Sequence, residues 1–357
     1  MIAGRIAASV AQRQVKYVTP VSPAAARGLV ADVYAQVVED FRIVVPPAML
    51  HSPAPRVLAG YWMLLRETMV ASGAVDRHAK ELVASAVSVA NICPYCVDMH
   101  TAALYGLDGE GDADAIALDR TADVQDPRTR ALVEWGRAAH LPDDPAHAPA
   151  PFPEAHRAEL VGVAVSMHYL TRMVNVFLPG FLLPPRLNAT ARRRFKRGVG
   201  RVLAPTLHGA RPAGLALPML PPADPPASAA WAFADAGIAA AVARSYAAFT
   251  EAGERVVPVS VRELLSREVL RWRGAETGIS RDWCEDLLLE LPEPDRSAGR
   301  LALLTAFASY QVDAEAVGEY RRVVPADDAL IELVAWSAFT AARRVGELHL
   351  PAGSRVG

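Results

Sequence analysis

The chain has 357 residues, which is long for a single hydrophobic core and predicts two domains. Its 52% hydrophobic and 21% charged residues are typical of a globular protein and argue against a disordered or fibrous one. The formal net charge of −2 gives no overall field that would attract nucleic acid or an anionic membrane, so we expect neither as a partner.

The N-terminal segment is a poor targeting signal. Arg5 and Arg13 interrupt its apolar residues, and the stretch is too short to span a bilayer. No apolar run of about 20 residues, the length of a spanning helix, occurs elsewhere. We therefore expect a cytoplasmic protein, where a Cys-x-x-Cys pair is more typical of redox chemistry than of a structural disulfide.

Most of the chain shows helical periodicity, with Pro and Gly between the periodic segments and little strand-like alternation. The periodic segments are 26–41, 56–71, 76–91, 128–140, 153–177, 231–250 and 327–349. The sequence therefore predicts an all-α fold.

One break between two of these helices is well defined. The stretch from Asp76 to Asn91 contains no Pro or Gly and is rich in Ala, Leu and Val, which predicts a buried helix. Pro94 cannot lie comfortably inside that helix but fits the first turn of a new one. We predict a second helix from Pro94 to Tyr105, ended by Gly106.

The start of this second helix carries the residues best suited to chemistry. Cys93 and Cys96 place two sulfurs about one helical turn apart, close enough to exchange a disulfide. Cys96 falls in the first turn, where free N–H groups and the helix dipole favour a thiolate. His100 returns to the same helix face four residues later and could take the thiol proton.

The spacing Glu81-x11-Cys93-x-x-Cys96-x3-His100 resembles the alkyl hydroperoxidase D and carboxymuconolactone decarboxylase superfamily. The flanking segments 47–53 and 126–128 are similar to those of the family, and the likeness covers residues 25–180. The resemblance implies an all-helical fold and a thiol-dependent peroxidase that reduces organic hydroperoxides. It implies no cofactor other than a redox-active disulfide.

The resemblance also implies a role for each residue. Cys96 matches the peroxidatic cysteine, Cys93 matches its resolving partner, and Glu81 with His100 matches the proton relay. Helical geometry alone brings Cys96 near His100 but leaves Glu81 roughly one turn deeper, so the relay contact depends on the resemblance. The expected partners are a dithiol reductant, either lipoyl-type or a thioredoxin-like protein, and further copies of the chain in a homo-oligomer.

Several interpretations of the cysteines stay open. A zinc site could use both thiols and His100, but structural zinc generally takes four ligands, and we expect no metal. The thiols could instead be inert packing residues, as we expect for the isolated Cys284. The alternative functions are a non-enzymatic redox sensor and a carboxymuconolactone decarboxylase-like lyase, although the decarboxylases lack the cysteine pair.

Three further residues are candidates for the substrate pocket. Tyr95 stands where alkyl hydroperoxidase D has a histidine, and it could orient the peroxide or merely pack. His51 lies in a Pro-rich turn and either faces the pocket mouth or is a surface or capping residue. His168, with Tyr169 and Asn175 on the same apolar helix, either lines the cavity or is a core group with local hydrogen bonds.

Two other segments inform the domain organisation. The basic run over residues 192–197 is interpreted as a solvated helix face rather than a nucleic-acid site. Seven prolines from Pro205 to Pro226 indicate a linker or a crossover along the surface. We predict an alkyl hydroperoxidase D-like domain over 1–200, a linker over 201–228 and a second helical domain over 229–357.

The second domain is predicted to be a degenerate repeat of the first. The pattern that begins at Tyr34 reappears at Tyr246, and Glu159-Leu160-Val161 is echoed by Glu332-Leu333-Val334. A shift of 219 residues, which aligns Arg77 with Arg296, sets Arg300 opposite Glu81, Val312 opposite Cys93, Glu315 opposite Cys96 and Glu319 opposite His100. The second repeat would then lack thiols and add walls to the pocket of the first. An unrelated helical domain is the alternative.

Overall fold

The computed structural model describes residues 12–183 and 186–351. Regular secondary structure within these two ranges is entirely helical and includes no β-strand, so the all-α prediction is confirmed. The helices of the first half are α1 (Gly28–Phe41), α2 (Pro46–His51), α3 (Pro55–Leu65), α4 (Arg77–Ala90), α5 (Pro94–Tyr105), α6 (Glu110–Ala117), α7 (Pro127–Ala138), α8 (Arg157–Phe177) and α9 (Ala189–Leu207). Those of the second half are α10 (Ala236–Val256), α11 (Val259–Arg271), α12 (Asp282–Leu288), α13 (Arg296–Ala308), α14 (Ala314–Val323) and α15 (Asp327–Leu348).

Local sequence explains where the two helices of the cysteine segment begin and end. α4 begins after Asp76, whose side chain accepts a hydrogen bond from the backbone N–H of Ala79 at 2.7 Å. Pro94 occupies the first turn of α5, where its missing N–H costs nothing, and Gly106 follows the last residue. The predicted bounds of α5 are therefore confirmed.

α8 is the central helix of the molecule. It is buried on all sides and packs against α15 of the second half as well as α4 of the first. The segment Glu154–Phe177 is long and apolar enough to cross a membrane, but 94% of its most apolar window is buried inside the protein. The main hydrophobic core extends through both halves of the chain.

The second half repeats the helix order of the first. α13 begins at Arg296 and α4 at Arg77, the residues that the shift of 219 aligns. The same shift relates an ion pair in each half: Glu81 contacts His100 at 2.7 Å, and Arg300 contacts Glu319 at 3.0 Å. The two repeats thus share one helix pair. In the second repeat the acidic and basic members of the ion pair have exchanged positions, and no cysteine stands at the positions of the two thiols.

The connection before the last long helix differs between the two repeats. Between α14 and α15 the chain has only a three-residue connection, residues 324–326, where the first half holds α6 and α7. Among the described residues, no helix of the second half therefore occupies the position of α6 or α7 in the order of the repeat.

The Pro-rich connection between the halves is held against the first half. Glu67 accepts hydrogen bonds from the backbone N–H groups of Gly214 at 2.6 Å and Ala216 at 3.1 Å. The start that we predicted for this linker, residue 201, lies inside α9, because Pro205 interrupts only the last turn of that helix. The division of the chain into two domains stays a prediction.

Candidate active site

The turn between α4 and α5 sets the position of Cys93. The backbone N–H groups of Ile92 and Cys93 donate to the carbonyl oxygens of Val89 and Ser88, both at 3.0 Å. This pair of bonds is the Schellman helix end, which requires a left-handed residue after the C-cap. That residue is Ile92, with a φ of 50°, a conformation that strains a β-branched side chain. The strained turn directs the chain from one helix into the next.

The two thiols lie together at the N-terminal end of α5. Cys93 is the N-cap residue, and Cys96 lies in the first turn. Their Sγ atoms are 2.8 Å apart, with the thiol of Cys93 donating to Cys96, and both cysteines are free. The sulfurs are therefore close enough to form a disulfide with little side-chain movement.

Glu81 and His100 are in direct contact, although helical geometry alone did not predict this contact. His100 Nδ1 lies 2.7 Å from Glu81 Oε2, and Arg77 Nε donates to Glu81 Oε1 at 2.9 Å. Burial alone would raise the pKa of Glu81, but the charges and hydrogen bonds of Arg77 and His100 outweigh it and lower the pKa. Because the ionised carboxylate can only accept, His100 carries a proton on Nδ1 and presents Nε2 as its basic nitrogen when the ring is neutral.

Cys96 and His100 line the same large apolar cavity. Its volume is about 710 Å³, and most of its wall consists of aliphatic and aromatic side chains. Ile43, Phe195 and Val202 are lining residues that are also exposed to solvent, so the open edge of the cavity is apolar. A cavity of this size and polarity can take an organic molecule considerably larger than hydrogen peroxide.

Burial controls the protonation of the peroxidatic candidate. Cys96 is only 3% exposed, and this burial, with Cys93 beside it, raises the pKa of the Cys96 thiol well above its ordinary value. The N-terminal end of α5 acts in the opposite direction but does not overcome the loss of hydration. The expected resting thiolate is therefore corrected to a resting thiol, which needs a base to activate it.

Cys93 borders a second cavity. This space of about 380 Å³ is lined by Cys93 but not by Cys96. Its walls also include Arg193 and Lys196 of α9, whose basic run we interpreted as a solvated face. Lys196 is instead buried, and Arg193 forms an ion pair with Asp114 at 2.6 Å. The two sulfurs of one pair thus face separate spaces.

The three residues predicted to line the substrate pocket occupy different places. Tyr95 does line the apolar cavity, and its hydroxyl donates to Gln14 at 2.9 Å. His51 lies neither at the pocket mouth nor at the surface. It is fully buried behind the wall, where its ring stacks on Tyr61 with centroids 4.3 Å apart. Burial lowers the pKa of His51 to about 3 and so keeps it neutral.

His168 is a core residue and does not line the apolar cavity. Its Nδ1 lies 3.0 Å from Asn91 Nδ2, on the side of α8 that faces the second half. Leu170 and Val174 are the residues of α8 that border the cavity. They are four residues apart and share one helix face, whereas His168 lies on another.

Some site residues were not found from the sequence. Arg77 fixes the ionisation of Glu81, and the four-residue spacing between them was the available signal. Tyr61 lines the cavity from α3, but that helix is buried nearly throughout and so carries no pattern that marks one face.

The second half does not supply walls to the apolar cavity, contrary to expectation. Every lining residue lies between Gln14 and Leu207. The second half packs behind α8, on the side away from Leu170 and Val174, and therefore supports the wall without forming it.

The described residues contain no group of three or more His, Cys, Asp or Glu side chains arranged to hold a metal ion. The third cysteine, Cys284, is buried in the second half, and burial raises its pKa to about 11. A protonated, buried thiol of this kind agrees with the inert role that we expected for it.

Comparison with known proteins identifies relatives of the chain. The family model of the carboxymuconolactone decarboxylase family matches residues 57–138, a range that includes α4, α5 and both site cysteines. A Mycobacterium tuberculosis protein named alkyl hydroperoxide reductase is 36% identical over 334 residues. The match covers 93% of this chain and 94% of the relative, so it extends through both halves.

Proposed function

The chain belongs to the alkyl hydroperoxidase D and carboxymuconolactone decarboxylase superfamily, and on that premise we propose that it is a thiol-dependent peroxidase for organic hydroperoxides. The observation that carries the proposal is the placement of Cys96. Its thiol borders a large apolar cavity together with His100, and its sulfur lies 2.8 Å from Cys93. Substrate, base and resolving thiol can therefore meet at one atom.

The reaction begins with proton removal. His100 Nε2 accepts the proton of the Cys96 thiol, while the ionised Glu81 holds the imidazole and stabilises its charge. The thiolate attacks the distal oxygen of the hydroperoxide and breaks the O–O bond. Cys96 becomes a sulfenic acid, and the leaving alkoxide takes the proton from His100 to become an alcohol.

Resolution and reduction complete the cycle. The Cys93 thiol attacks the sulfenic sulfur, which releases water and forms the Cys93–Cys96 disulfide. An external dithiol, lipoyl-type or on a thioredoxin-like protein, then attacks Cys93 through the second cavity and releases Cys96 as the leaving thiolate. The second thiol of the donor attacks the donor sulfur of this mixed disulfide, which releases Cys93 and leaves the donor as a disulfide. The sum is one hydroperoxide and one dithiol converted to one alcohol, one water and one disulfide.

The cavity favours bulky apolar substrates. Its wall offers hydrocarbon contact for the organic group, a contribution that hydrogen peroxide cannot use. We expect kcat/KM to rise from hydrogen peroxide to cumene hydroperoxide to a fatty-acid hydroperoxide.

The first prediction concerns the two thiols. With cumene hydroperoxide and a dithiol donor, Cys96→Ser should abolish turnover, because serine cannot form the sulfenic acid. Cys93→Ser should allow one oxidation per chain and then recycle slowly. Peroxide consumption measures turnover, and dimedone trapping followed by mass spectrometry identifies the oxidised sulfur.

Cys284→Ser is the matched control, since Cys284 is a buried cysteine outside the site, and it should retain the parent rate. Parent-like turnover by Cys96→Ser would contradict the nucleophile. A lyase activity that survives replacement of both Cys93 and Cys96 would favour the decarboxylase-like alternative.

A further inference from the structure

A buried cation lies at the junction of the two halves without an acidic partner. Arg172 of α8 is only 4% exposed. Its guanidinium donates to neutral acceptors: the Ala306 carbonyl at 2.9 Å, the Asn91 side-chain oxygen at 3.2 Å and the His168 carbonyl at 2.7 Å. Across the described part of the chain, no carboxylate forms an ion pair with it, and its Nη2 makes no hydrogen bond. Burial lowers the pKa of Arg172 to about 10, so the group remains charged at neutral pH.

A second group beside Arg172 also lacks an acceptor. Both Asn91 and Arg172 direct N–H groups at Nδ1 of His168, at 3.0 and 3.2 Å, so the proton of this neutral ring lies on Nε2. That Nε2 is buried and has no partner among residues 12–183 and 186–351. The ring of His140 follows at 5.6 Å between centroids, and its Nδ1 is likewise buried and unpaired.

A small cavity borders Arg172 and His140, whereas His168 is not among its lining residues. Its volume is about 30 Å³, and its wall includes Arg172, His140, Asn91, Ser309 and the indole of Trp272. The Trp272 ring lies 5.9 Å from the guanidinium carbon. A site of this volume has room for one or two groups of about the size of a water molecule. The contact with the ring does not neutralise the buried charge, which remains costly without a counter-charge.

We propose that this cavity binds one small monovalent anion, a halide or a small carboxylate, with the Arg172 guanidinium as its counter-charge. The Arg172 side chain borders the cavity, and its unpaired Nη2 supplies hydrogen bonds that only an acceptor can complete. Glu276 lies at the exposed rim of the cavity, and its negative charge weakens binding without filling the site. The proposal does not depend on the peroxidase assignment.

The site also contacts the chain that leads to the thiols. Asn91, which accepts from Arg172, precedes Cys93 by two residues, and its backbone carbonyl accepts from Asn175 at 3.1 Å. An anion at Arg172 therefore stabilises the same turn that positions Cys93, and its binding should stabilise the folded protein.

The experiment titrates the full chain with sodium chloride, bromide or formate at constant ionic strength, with gluconate as the balancing anion. Gluconate is too large for the cavity. We expect Tm to rise saturably as a small anion replaces gluconate. A comparison of the chloride and formate titrations distinguishes a halide from a carboxylate ligand. A Tm that stays constant as each small anion replaces gluconate would overturn the proposal, since constant ionic strength removes the general effect of salt.

Two variants locate the site. Arg172→Gln should raise the anion Kd about tenfold or more, because a charged hydrogen-bond donor is lost. Glu276→Gln, the matched control at the rim, should leave Kd unchanged or lower it. If Glu276 were instead the missing counter-charge, its replacement would lower Tm in the absence of added anion. Should Arg172→Gln fail to fold, a bromide-soaked crystal of the parent decides: an anomalous peak beside Arg172 supports the site, and its absence refutes it.

Discussion

In the reaction proposed above, three side chains control how the buried Cys96 thiol loses its proton. Arg77 keeps Glu81 ionised, and the ionised Glu81 fixes the proton of His100 on Nδ1. A base is needed because Cys96 has a raised pKa and does not ionise unaided at neutral pH. Glu81 acts through His100 and is a positioning residue, whereas His100 shares the apolar cavity with Cys96.

The second prediction tests this base. His100→Gln should slow the oxidation of Cys96 by cumene hydroperoxide about 10²- to 10⁴-fold at pH 7, the usual contribution of a general base. Because the pKa of Cys96 is raised, the deficit should shrink as pH increases and hydroxide forms the thiolate. Stopped-flow rates from pH 6 to pH 10 measure both effects.

The control for this prediction is His78→Gln, which changes a histidine of α4 that does not line the cavity. It should keep the parent rate at every pH. A pH-independent deficit in His100→Gln would indicate a role in shaping the cavity instead of proton transfer.

At the scale of elements, one close helix crossing closes the apolar cavity. α9 passes the C-terminal end of α5, where Gly106 and Gly200 let the two backbones touch. A Cβ built on Gly200 would lie 2.7 Å from the backbone nitrogen of Gly106 and 2.9 Å from the Ala102 carbonyl oxygen. These contacts involve backbone atoms that cannot rotate away, so any larger residue must displace α9.

The third prediction follows from this crossing. Gly200→Ala should lower the free energy of unfolding by about 1–3 kcal/mol, as for other overpacked sites. It should also lower kcat/KM for bulky hydroperoxides more than for hydrogen peroxide, because α9 forms part of the cavity wall. Urea unfolding and substrate comparison measure the two effects.

Gly198→Ala is the matched control on the same helix. An added Cβ there meets no atom within 4 Å. It should therefore stabilise the protein by about 0.4–1 kcal/mol through the lower entropy of the unfolded chain. Destabilisation by both variants would show that α9 tolerates no added methyl group. The close crossing of α9 and α5 would then not explain the effect of Gly200→Ala.

The sequence predicted elements that depend on local chemistry. Pro94 and Gly106 bracket α5, and Asp76 caps α4, because each acts on its immediate neighbours. It did not predict the π-helical turn Arg66–Val70, which continues the apolar periodicity of α3. The face of α8 that borders the cavity could not be predicted either, because a helix buried all round shows no amphipathic pattern.

At the scale of the whole molecule, the second repeat contributes a surface that supports the first. α15 covers α8, and α10 covers α3, so the wall of the apolar cavity is backed by the second half. The order of the repeated helices could be predicted because sequence echoes mark it. Their packing against the back of α8 could not, because such contacts join residues more than 100 positions apart and leave no local pattern.

The last prediction concerns this dependence of the first repeat on the second. A chain ending at residue 226 would leave the apolar faces of α3 and α8 exposed, including the surroundings of Tyr169, whose ring lies 4.7 Å from that of Phe249. Exposed apolar surface of this extent promotes aggregation. The shortened chain should therefore be insoluble or should bind a hydrophobic dye strongly.

Supplying residues 227–357 as a separate chain should restore solubility and peroxidase activity together, because it re-forms the common core. A soluble, monomeric and active 1–226 fragment would show that the first repeat folds alone and that its core is complete without α10 and α15.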